Sequence, residues 1–369
     1  MALDTIRGKP VKGIPTSWIH PMEHAHIDRL AGAAPGSYRR EPETAYLAMQ
    51  RAVGSTLIDQ YIPDNPLSMG DQGFESPHRG PTTGANEVVC DGMSIRSPDD
   101  VVEHLETFVF PSLRKEIERF DAEQRARDII EGEIVLQERM GPEFLKGGHA
   151  FIGFPCFRYG EYGYANYFMA YALYPEVIER DFSLQADRAL LNNRAAARAY
   201  TEGNLPPIYR LDFDMADSRG TLASVESLDR LWLPHFARAL EPLTKTSVKM
   251  IWHCDGNLME MVPRLLDCGL RGFQGFQYEC GMDYPKICSL KTKDGEDLMI
   301  WAGVSVTDVL PYGTPGDVRR HMAWLVEHGP RDSLFLQCSS SIAPGVPWEN
   351  MQALVDGLAH YREHGRETA

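Results

Sequence analysis

Eight short apolar runs, which alternate with longer segments of helical periodicity, constrain the fold of this chain more than any other feature. Such alternation is typical of β/α units built around a parallel sheet. Eight units close a (β/α)8 barrel, and the right-handed crossover rule makes a barrel with outer helices the simplest topology. We therefore predict an α/β fold of the TIM-barrel type. The predicted strands are residues 13–19, 56–62, 150–154, 207–213, 248–254, 272–276, 298–304 and 333–338.

Five of the intervening segments carry apolar residues at helical spacing. The helix predicted to begin at Thr314 has the clearest start, because Thr314 can cap it and Pro315 fits the first turn. The predicted helices are residues 175–200, 228–243, 258–267, 314–328 and 348–364.

The alternating pattern weakens between residues 67 and 148. Residues 68–86, rich in Gly, Pro and Ser, predict a long surface loop, residues 88–95 a small strand pair, and residues 98–145 two or three charged helices. We interpret the segment as an insertion over the barrel mouth. Because the chain shows no internal repeat and no low-complexity linker, we predict a single elaborated domain over residues 1–369.

Charge and cysteine usage narrow the classes of partner. The 37 basic and 52 acidic residues give a formal charge of −15, which disfavours binding to nucleic acid or to anionic lipid. The seven cysteines are odd in number, scattered and without a Cys-x-x-Cys pair, as expected of free thiols in a reducing cytoplasm. No apolar run has the length of a signal peptide core or of a membrane span. We expect a cytoplasmic protein with a small-molecule or protein partner, and the sequence leaves its oligomeric state open.

The run at residues 249–257 ends abruptly in His253, Cys254 and Asp255 before Gly256. In a strand, alternate side chains share a face, so His253 and Asp255 should converge. A histidine and a carboxylate at a strand end form an arrangement that metal sites and proton-transfer sites use. An isolated His-x-Asp also occurs where a histidine merely caps a loop, so the other strand ends decide between these interpretations.

The fourth predicted strand places Arg210, Asp212 and Asp214 on one face. A buried carboxylate is tolerated only if it is paired, bound to a metal or located at the open mouth. One interpretation is a structural Arg210–Asp212 pair. The other assigns Asp212 and Asp214 to catalysis and Arg210 to substrate binding, with Asp214 the better candidate for direct contact with a ligand.

Further polar groups end the other predicted strands, where catalytic residues of such barrels lie. Zinc accepts thiolate, imidazole and carboxylate ligands, and a catalytic zinc keeps one position open. His253, Asp255 and Cys338 could supply three ligands, with Glu279 as an alternative oxygen ligand, although a lone cysteine is more often a small core residue. The remaining predicted site residues are His20 as a catalytic group and Cys156, Tyr162 and Tyr278 as substrate contacts.

A histidine cluster follows the first predicted strand. His20 and His24 would share a helix face at a spacing of four residues, whereas His26 would not. The cluster is compatible with a second metal site, with substrate contact or with plain surface.

Several motifs of the chain resemble the uroporphyrinogen decarboxylase superfamily, in order and spacing over residues 150–365 and only loosely before. That superfamily has a single (β/α)8 barrel. It includes decarboxylases of the haem pathway and methyltransferases that exchange methyl groups with corrinoid proteins, coenzyme M or folate. The motifs are His253-Cys-Asp-Gly-Asn257, Gly272-Phe-Gln-Gly-Phe-Gln-Tyr278, Ala302-Gly-Val304, Gly313-Thr-Pro-Gly-Asp-Val318 and Ile342-Ala-Pro-Gly-Val-Pro-Trp-Glu-Asn350.

Two motifs distinguish the decarboxylases of that superfamily from its methyltransferases, and this chain differs from both patterns. The decarboxylases carry Arg-Gln-Ala-Gly-Arg after the first strand, where this chain has His20-Pro-Met-Glu-His-Ala-His26. The methyltransferases hold zinc with His-x-Cys and a distant Cys, for which this chain has His253, Asp255 and Cys338, with Cys254 displaced by one residue. A carboxylate in place of a thiolate makes the site harder and better suited to activating an ether oxygen or an amine nitrogen as a leaving group.

The resemblance implies a zinc-dependent methyltransferase that moves a methyl group from an O-methyl or N-methyl small molecule to a corrinoid protein, as a demethylase component. The partner protein would supply the cobalamin. A second hypothesis is a decarboxylase or lyase of a small carboxylate, in which Asp212 or Asp214 handles a proton without metal. A third is a non-catalytic binder of a corrinoid or tetrapyrrole.

Overall fold

A parallel sheet forms the centre of the molecule. A computed structural model describes residues 1–64 and 88–367, together with the backbone of residues 69–70 and 73–74. The strands are β1 (Leu57–Ile58), β2 (Met69–Gly70), β3 (Gly73–Phe74), β4 (Val88–Cys90), β5 (Met93–Ile95), β6 (Leu145–Lys146), β7 (Ile208–Asp212), β8 (Ala216–Asp217), β9 (Gly220–Thr221), β10 (Lys249–His253), β11 (Gly272–Gln274), β12 (Met299–Val304) and β13 (Leu334–Cys338).

Helices occupy most of the chain between the strands. A π-helical segment (Leu105–Val109) and a 3-10 turn (Tyr278–Cys280) accompany them. The α-helices are α1 (Ala2–Ile6), α2 (His24–Leu30), α3 (Ser37–Arg40), α4 (Pro42–Val53), α5 (Pro98–His104), α6 (Phe110–Glu118), α7 (Ala122–Met140), α8 (Tyr159–Tyr162), α9 (Tyr164–Leu173), α10 (Pro175–Glu202), α11 (Val225–Leu231), α12 (Leu233–Thr244), α13 (Val262–Asp267), α14 (Tyr284–Ser289), α15 (Val309–Tyr312), α16 (Pro315–His328) and α17 (Trp348–His364). None of these helices, within the described residues, is long and apolar enough to cross a membrane.

Five strands pair in parallel in the order β13-β12-β11-β10-β7, and β1 pairs in parallel with β6. Isolated parallel bridges join Thr16 to Leu336, Ser17 to Leu57 and Gly148 to Tyr209. The predicted α/β class with a parallel sheet is confirmed. Closure into a continuous eight-stranded barrel stays a prediction, which these three bridges support.

The third predicted strand is wrong, because residues 150–154 form no strand and β6 takes that place in the pairing order. Two features hide β6 from a hydrophobic pattern. Lys146 is 2% exposed, and its Nζ lies 3.0 Å from Oε2 of Glu133, so a charged residue is buried within the strand. The apolar residues Phe151 and Ile152 instead donate their backbone N–H groups to the Tyr209 hydroxyl at 3.0 Å.

The predicted helix ends agree best with the structure where the sequence contains a capping residue. α16 begins with a capping box, in which the Thr314 hydroxyl accepts from the Asp317 N–H and the Asp317 carboxylate accepts from the Thr314 N–H. α17 has the predicted bounds. The helix predicted at 228–243 is divided at Trp232, because Pro234 in the first turn of α12 cannot continue the hydrogen bonding of α11. The helix predicted at 258–267 begins at Val262.

The insertion contains the predicted strand pair, because β4 and β5 form an antiparallel hairpin. Helices α5, α6 and α7 follow, and α6 and α7 pack against α10. The predicted loop at 68–86 lies largely outside the described residues. That the insertion covers the barrel mouth stays a prediction.

The interior of the sheet is layered along the strand direction. Ile208, Ile251 and Phe335 belong to one buried apolar cluster, to which α1 adds Ala2 and Ile6. The residue two positions after each of these three strand residues lies on the same face of the sheet and has a polar side chain. These polar successors are Arg210 in β7, His253 in β10 and Gln337 in β13. The apolar layer therefore forms a floor beneath the polar ends of the strands.

Candidate active site

A cavity of about 490 Å³ lies above this floor, at the carboxyl ends of the parallel strands. Its volume is in the range of small-molecule sites, and the location is the one expected for catalytic groups in such folds. Seven of the predicted site residues line it, namely His20, Arg210, Asp212, Asp214, His253, Asp255 and Cys338.

Three side chains of the cavity could hold a metal ion together. Asp214, His253 and Asp255 offer ligand atoms that all lie within 4.8 Å of one another, and they are the one such group in the described part of the chain. His253 Nε2 lies 3.9 Å from an Asp255 carboxylate oxygen. The group joins the predicted His253 and Asp255, whereas Asp214 replaces Cys338 and Glu279 as the third member.

The local backbone orients this group. The Asp255 N–H donates to Asp214 Oδ1 at 2.8 Å, and the Ser340 hydroxyl donates to Asp255 Oδ2 at 3.2 Å. The chain turns at Gly275 with φ +76°, and a Cβ there would lie 2.3 Å from His253 Nδ1. Because Nδ1 packs against this glycine, Nε2 is the nitrogen that faces the carboxylates.

Burial and charge act in opposite directions on the two strand-end carboxylates of β7. Burial raises the pKa of Asp214, and His253 offsets this only in part, so the pKa stays above its ordinary value. Burial also raises the pKa of Asp212, but His253 and Arg210 together outweigh it and hold the pKa below its ordinary value. Asp212 is therefore the ionised carboxylate, and Asp214 retains a proton more readily.

Arg210 is the centre of a buried charge network. Its Nη1 donates to Asp212 at 2.5 Å, its Nε donates to Asp59 at 2.7 Å, and its Nη2 donates to the Gln60 amide oxygen at 3.1 Å. The Trp18 indole N–H also donates to Asp59. The structural Arg210–Asp212 pair is thus present, and Asp59 is a second acidic partner that the sequence analysis missed. Its signal was a single carboxylate inside the apolar run at 56–62.

Cys338 lines the cavity outside the group, and Glu279 is neither in the group nor among the residues that line the cavity. Burial raises the pKa of the Cys338 thiol to about 11, so the thiol is protonated near neutral pH. Glu279 lies in the 3-10 turn after β11, where it accepts a hydrogen bond from the Thr307 hydroxyl. Both metal assignments stay predictions, without support from this geometry.

Of the four predicted substrate contacts, Arg210 lines the cavity, whereas Tyr278, Tyr162 and Cys156 do not. The Tyr278 hydroxyl donates to the Gly303 carbonyl at 2.8 Å, and the Tyr162 hydroxyl lies 2.9 Å from His104 Nδ1. The Cys156 N–H donates to the Gln185 side chain, and burial raises the pKa of its thiol to about 12. These three residues make packing and hydrogen-bonding contacts inside the protein, and their substrate roles stay predictions.

The histidine cluster is divided by the start of a helix. α2 begins at His24 after the N-cap Glu23, so His20 precedes the helix and does not share a face with His24. His20 lines the cavity, with its ring centroid 5.0 Å from that of Trp18. His26 Nδ1 lies 3.6 Å from a Glu23 carboxylate oxygen. The cluster therefore places one histidine, His20, beside the candidate site.

Comparisons with known proteins agree with the sequence motifs. Residues 213–361 match the family model for uroporphyrinogen decarboxylase. A methyltransferase from Methanosarcina mazei has a similar structure, with a TM-score of 0.57 and 16% sequence identity over 98% of this chain and 97% of that one. A B12-independent methionine synthase from a Shewanella species, solved with selenomethionine, gives a TM-score of 0.34 at 12% identity, over 52% of this chain and 56% of that one. That value is too low to support an argument.

No curated protein sequence matches the chain. The likeness to the Methanosarcina structure shows a shared fold, and the family match covers the segment that contains β10 to β13 and all five motifs. The resemblance to the uroporphyrinogen decarboxylase superfamily found in the sequence is confirmed by the family match over residues 213–361.

Proposed function

We propose that the chain is a zinc-dependent methyltransferase that removes a methyl group from an O-methyl or N-methyl small molecule and delivers it to a corrinoid protein. The convergence of Asp214, His253 and Asp255 in one cavity carries this proposal. Its position at the carboxyl ends of parallel strands, in what we take to be a closed barrel, supports it. So does the fold shared with a protein described as a methyltransferase.

The three side chains fit a zinc ion in kind and number. An imidazole and two carboxylates are acceptable ligands, and three protein ligands leave one position open for a substrate. Their ligand atoms lie within 4.8 Å of one another, so small side-chain rotations would bring them to a common ion. A bound zinc ion would supply Lewis acidity towards the ether oxygen or amine nitrogen of the methyl donor.

The chain's own residues orient the ligands and balance charge. The hydrogen bond from the Asp255 N–H to Asp214 and the one from Ser340 to Asp255 restrict both carboxylates before any ligand binds. Arg210 neutralises Asp212 beside them, which limits repulsion among the clustered acids. The acceptor protein would approach the open side of the cavity, opposite the apolar floor.

Metal analysis of the purified full-length chain tests the proposal. We expect about one zinc ion per chain in the wild type and its loss in His253→Ala and Asp214→Asn. Cys338→Ser is the matched control, because Cys338 lines the same cavity outside the group and its substitution should leave zinc in place. Wild-type protein without stoichiometric zinc would reject the mechanism. Zinc loss in Cys338→Ser would instead support the ligand set predicted from the sequence, which includes the Cys338 thiol.

Activity is measured second, as methyl transfer to free cob(I)alamin from methoxylated aromatic compounds and methylamines. A zinc-loaded chain that transfers no methyl group from any of these donors would favour the non-catalytic corrinoid or tetrapyrrole binder.

One observation favours the metal-free decarboxylase or lyase as a second candidate. Burial raises the pKa of Asp214, and a carboxyl group that keeps its proton can act as a general acid towards a carbanion. Chelator-treated protein distinguishes the two functions. Release of carbon dioxide from a small carboxylate by metal-free protein, abolished in Asp214→Asn, would support the lyase.

A further inference from the structure

The charge of the cavity indicates which methyl donors it accepts, an inference that rests on the proposed function. We propose that the cavity selects donors without a negative charge and that the carboxamide of Gln337 binds an uncharged polar group of the donor. A hydroxyl, carbonyl or amide group would serve. A carboxylate, sulfonate or phosphate on the donor would be rejected.

Negative charge predominates around the cavity. Asp212, Asp214 and Asp255 line it, and among the described lining residues Arg210 is the one lysine or arginine. A divalent ion held by Asp214, His253 and Asp255 would bring the net charge of the cavity lining close to zero. No excess positive charge would remain to offset the desolvation of an anionic donor.

Arg210 is already bound to partners of the protein. Three of its nitrogen atoms donate to Asp59, Asp212 and Gln60, and its side chain is 4% exposed. Turning Arg210 towards an anionic donor would leave Asp59, itself 1% exposed, without its cation. An unpaired buried carboxylate is strongly unfavourable, so the guanidinium stays committed to the network.

Carboxamides form the uncharged part of the wall. The amide nitrogen of Gln274 donates to the Ser339 carbonyl at 3.0 Å, and the amide oxygen of Gln277 accepts from the Gly256 N–H at 2.5 Å. Gln337 differs from them, because its side chain has no hydrogen-bond partner among the described residues although it is 5% exposed and lines the cavity.

The polar atoms of this carboxamide are not sealed from the cavity, so a ligand can reach them there. The carboxamide offers two donors and one acceptor oxygen without net charge, which suits an uncharged polar group. The inward register of β13, two residues beyond Phe335 of the floor, aims Gln337 into the space that a donor would occupy.

Three ligands that share a methoxyphenyl group and differ in the charge of the para substituent test the selectivity. The probes are para-methoxybenzyl alcohol, para-methoxybenzylamine and para-methoxybenzoate, which share a ring and a methoxy group and are neutral, cationic and anionic at neutral pH. Calorimetric titration of the full-length chain, before and after zinc loading, reports binding without requiring turnover. We expect the alcohol and the amine to bind at least about tenfold more tightly than the benzoate. Equal or tighter binding of the benzoate, or no binding by any of the three, would overturn the proposal.

Two substitutions test the role of Gln337. Gln337→Leu keeps the approximate volume but removes the amide, and we expect it to weaken binding of the alcohol about tenfold while leaving zinc content unchanged. Gln337→Arg adds a cation, and we expect it to shift the preference towards the benzoate. Unchanged binding of the alcohol by a folded Gln337→Leu variant contradicts the assignment.

The two proposals fail separately. Absence of zinc from the wild type rejects the proposed function, whereas a preference of zinc-loaded protein for the benzoate rejects this inference alone.

Discussion

Gly275→Ala should weaken zinc binding at the proposed site without changing any proposed ligand. At φ +76° an alanine is strained, and its Cβ would lie 2.3 Å from Nδ1 and 2.6 Å from Cε1 of His253. The imidazole ring must move to relieve these contacts, which withdraws Nε2 from the carboxylates. Substitution of groups that orient a metal ligand commonly lowers metal affinity about 10–100-fold, and we expect a loss of that size.

Gly295→Ala is the matched control for backbone strain. Gly295 has φ +84°, but a Cβ there would meet nothing within 4 Å. An alanine in a left-handed backbone conformation is unfavourable by about 1–2 kcal/mol. Both variants should therefore lower the free energy of unfolding of metal-free protein by about that amount. Gly275→Ala alone should also bind zinc more weakly.

The assay is competition for zinc with a chromophoric chelator, alongside urea unfolding of metal-free protein. Wild-type zinc affinity in Gly275→Ala would refute the claim that this glycine positions His253. Equal zinc loss in Gly295→Ala would show that general destabilisation, and not the contact with His253, causes the effect.

Two further predictions concern stability. Arg210→Met should lower the free energy of unfolding by about 3–5 kcal/mol, because it leaves Asp59 buried without a cation. Urea unfolding should show a much smaller loss for the control Arg198→Met, because Arg198 and its partner Glu202 are exposed to solvent. Burial lowers the pKa of His321 from 6.5 to about 4 despite nearby Glu279 and Asp308. Between these two pKa values the unfolded chain binds a proton at His321 that the folded chain does not, so folding stability falls as the pH drops below 6.5. The free energy of unfolding of wild type relative to His321→Gln should therefore be about 2 kcal/mol smaller at pH 5 than at pH 8. A pH-independent difference would contradict the shift.

The strand pattern in the sequence predicted which side chains converge wherever the strand was apolar and regular. Alternation placed His253 and Asp255 on one inward face, and the structure groups both with Asp214. The same reasoning failed at β6, because the buried Lys146–Glu133 pair interrupts the apolar run there. A hydrophobic pattern cannot detect a strand whose buried charge is neutralised by a residue on a distant helix.

Contacts between strand ends were harder to predict than the strands. Cys338 reaches the same cavity as His253, but the third member of the group is Asp214, whose carboxylate accepts the Asp255 N–H. Tyr278 follows β11, and Tyr162 follows the segment wrongly predicted as the third strand, yet both make hydrogen bonds inside the protein, Tyr162 with His104 and Tyr278 with Gly303. The direction in which a loop leaves its strand depends on tertiary packing, which the periodicity of one sequence does not record.

The apolar floor has a kinetic consequence. Ile208, Ile251 and Phe335 pack with α1 beneath the cavity, so in the closed barrel that we propose reactants would enter from the carboxyl ends of the strands. In a transfer between a small donor and a protein acceptor, both would share that entrance. The donor must then bind before the acceptor protein docks, and the demethylated product must wait for the acceptor to leave. Steady-state kinetics of compulsory order, with the small molecule first on and last off, are the expected signature.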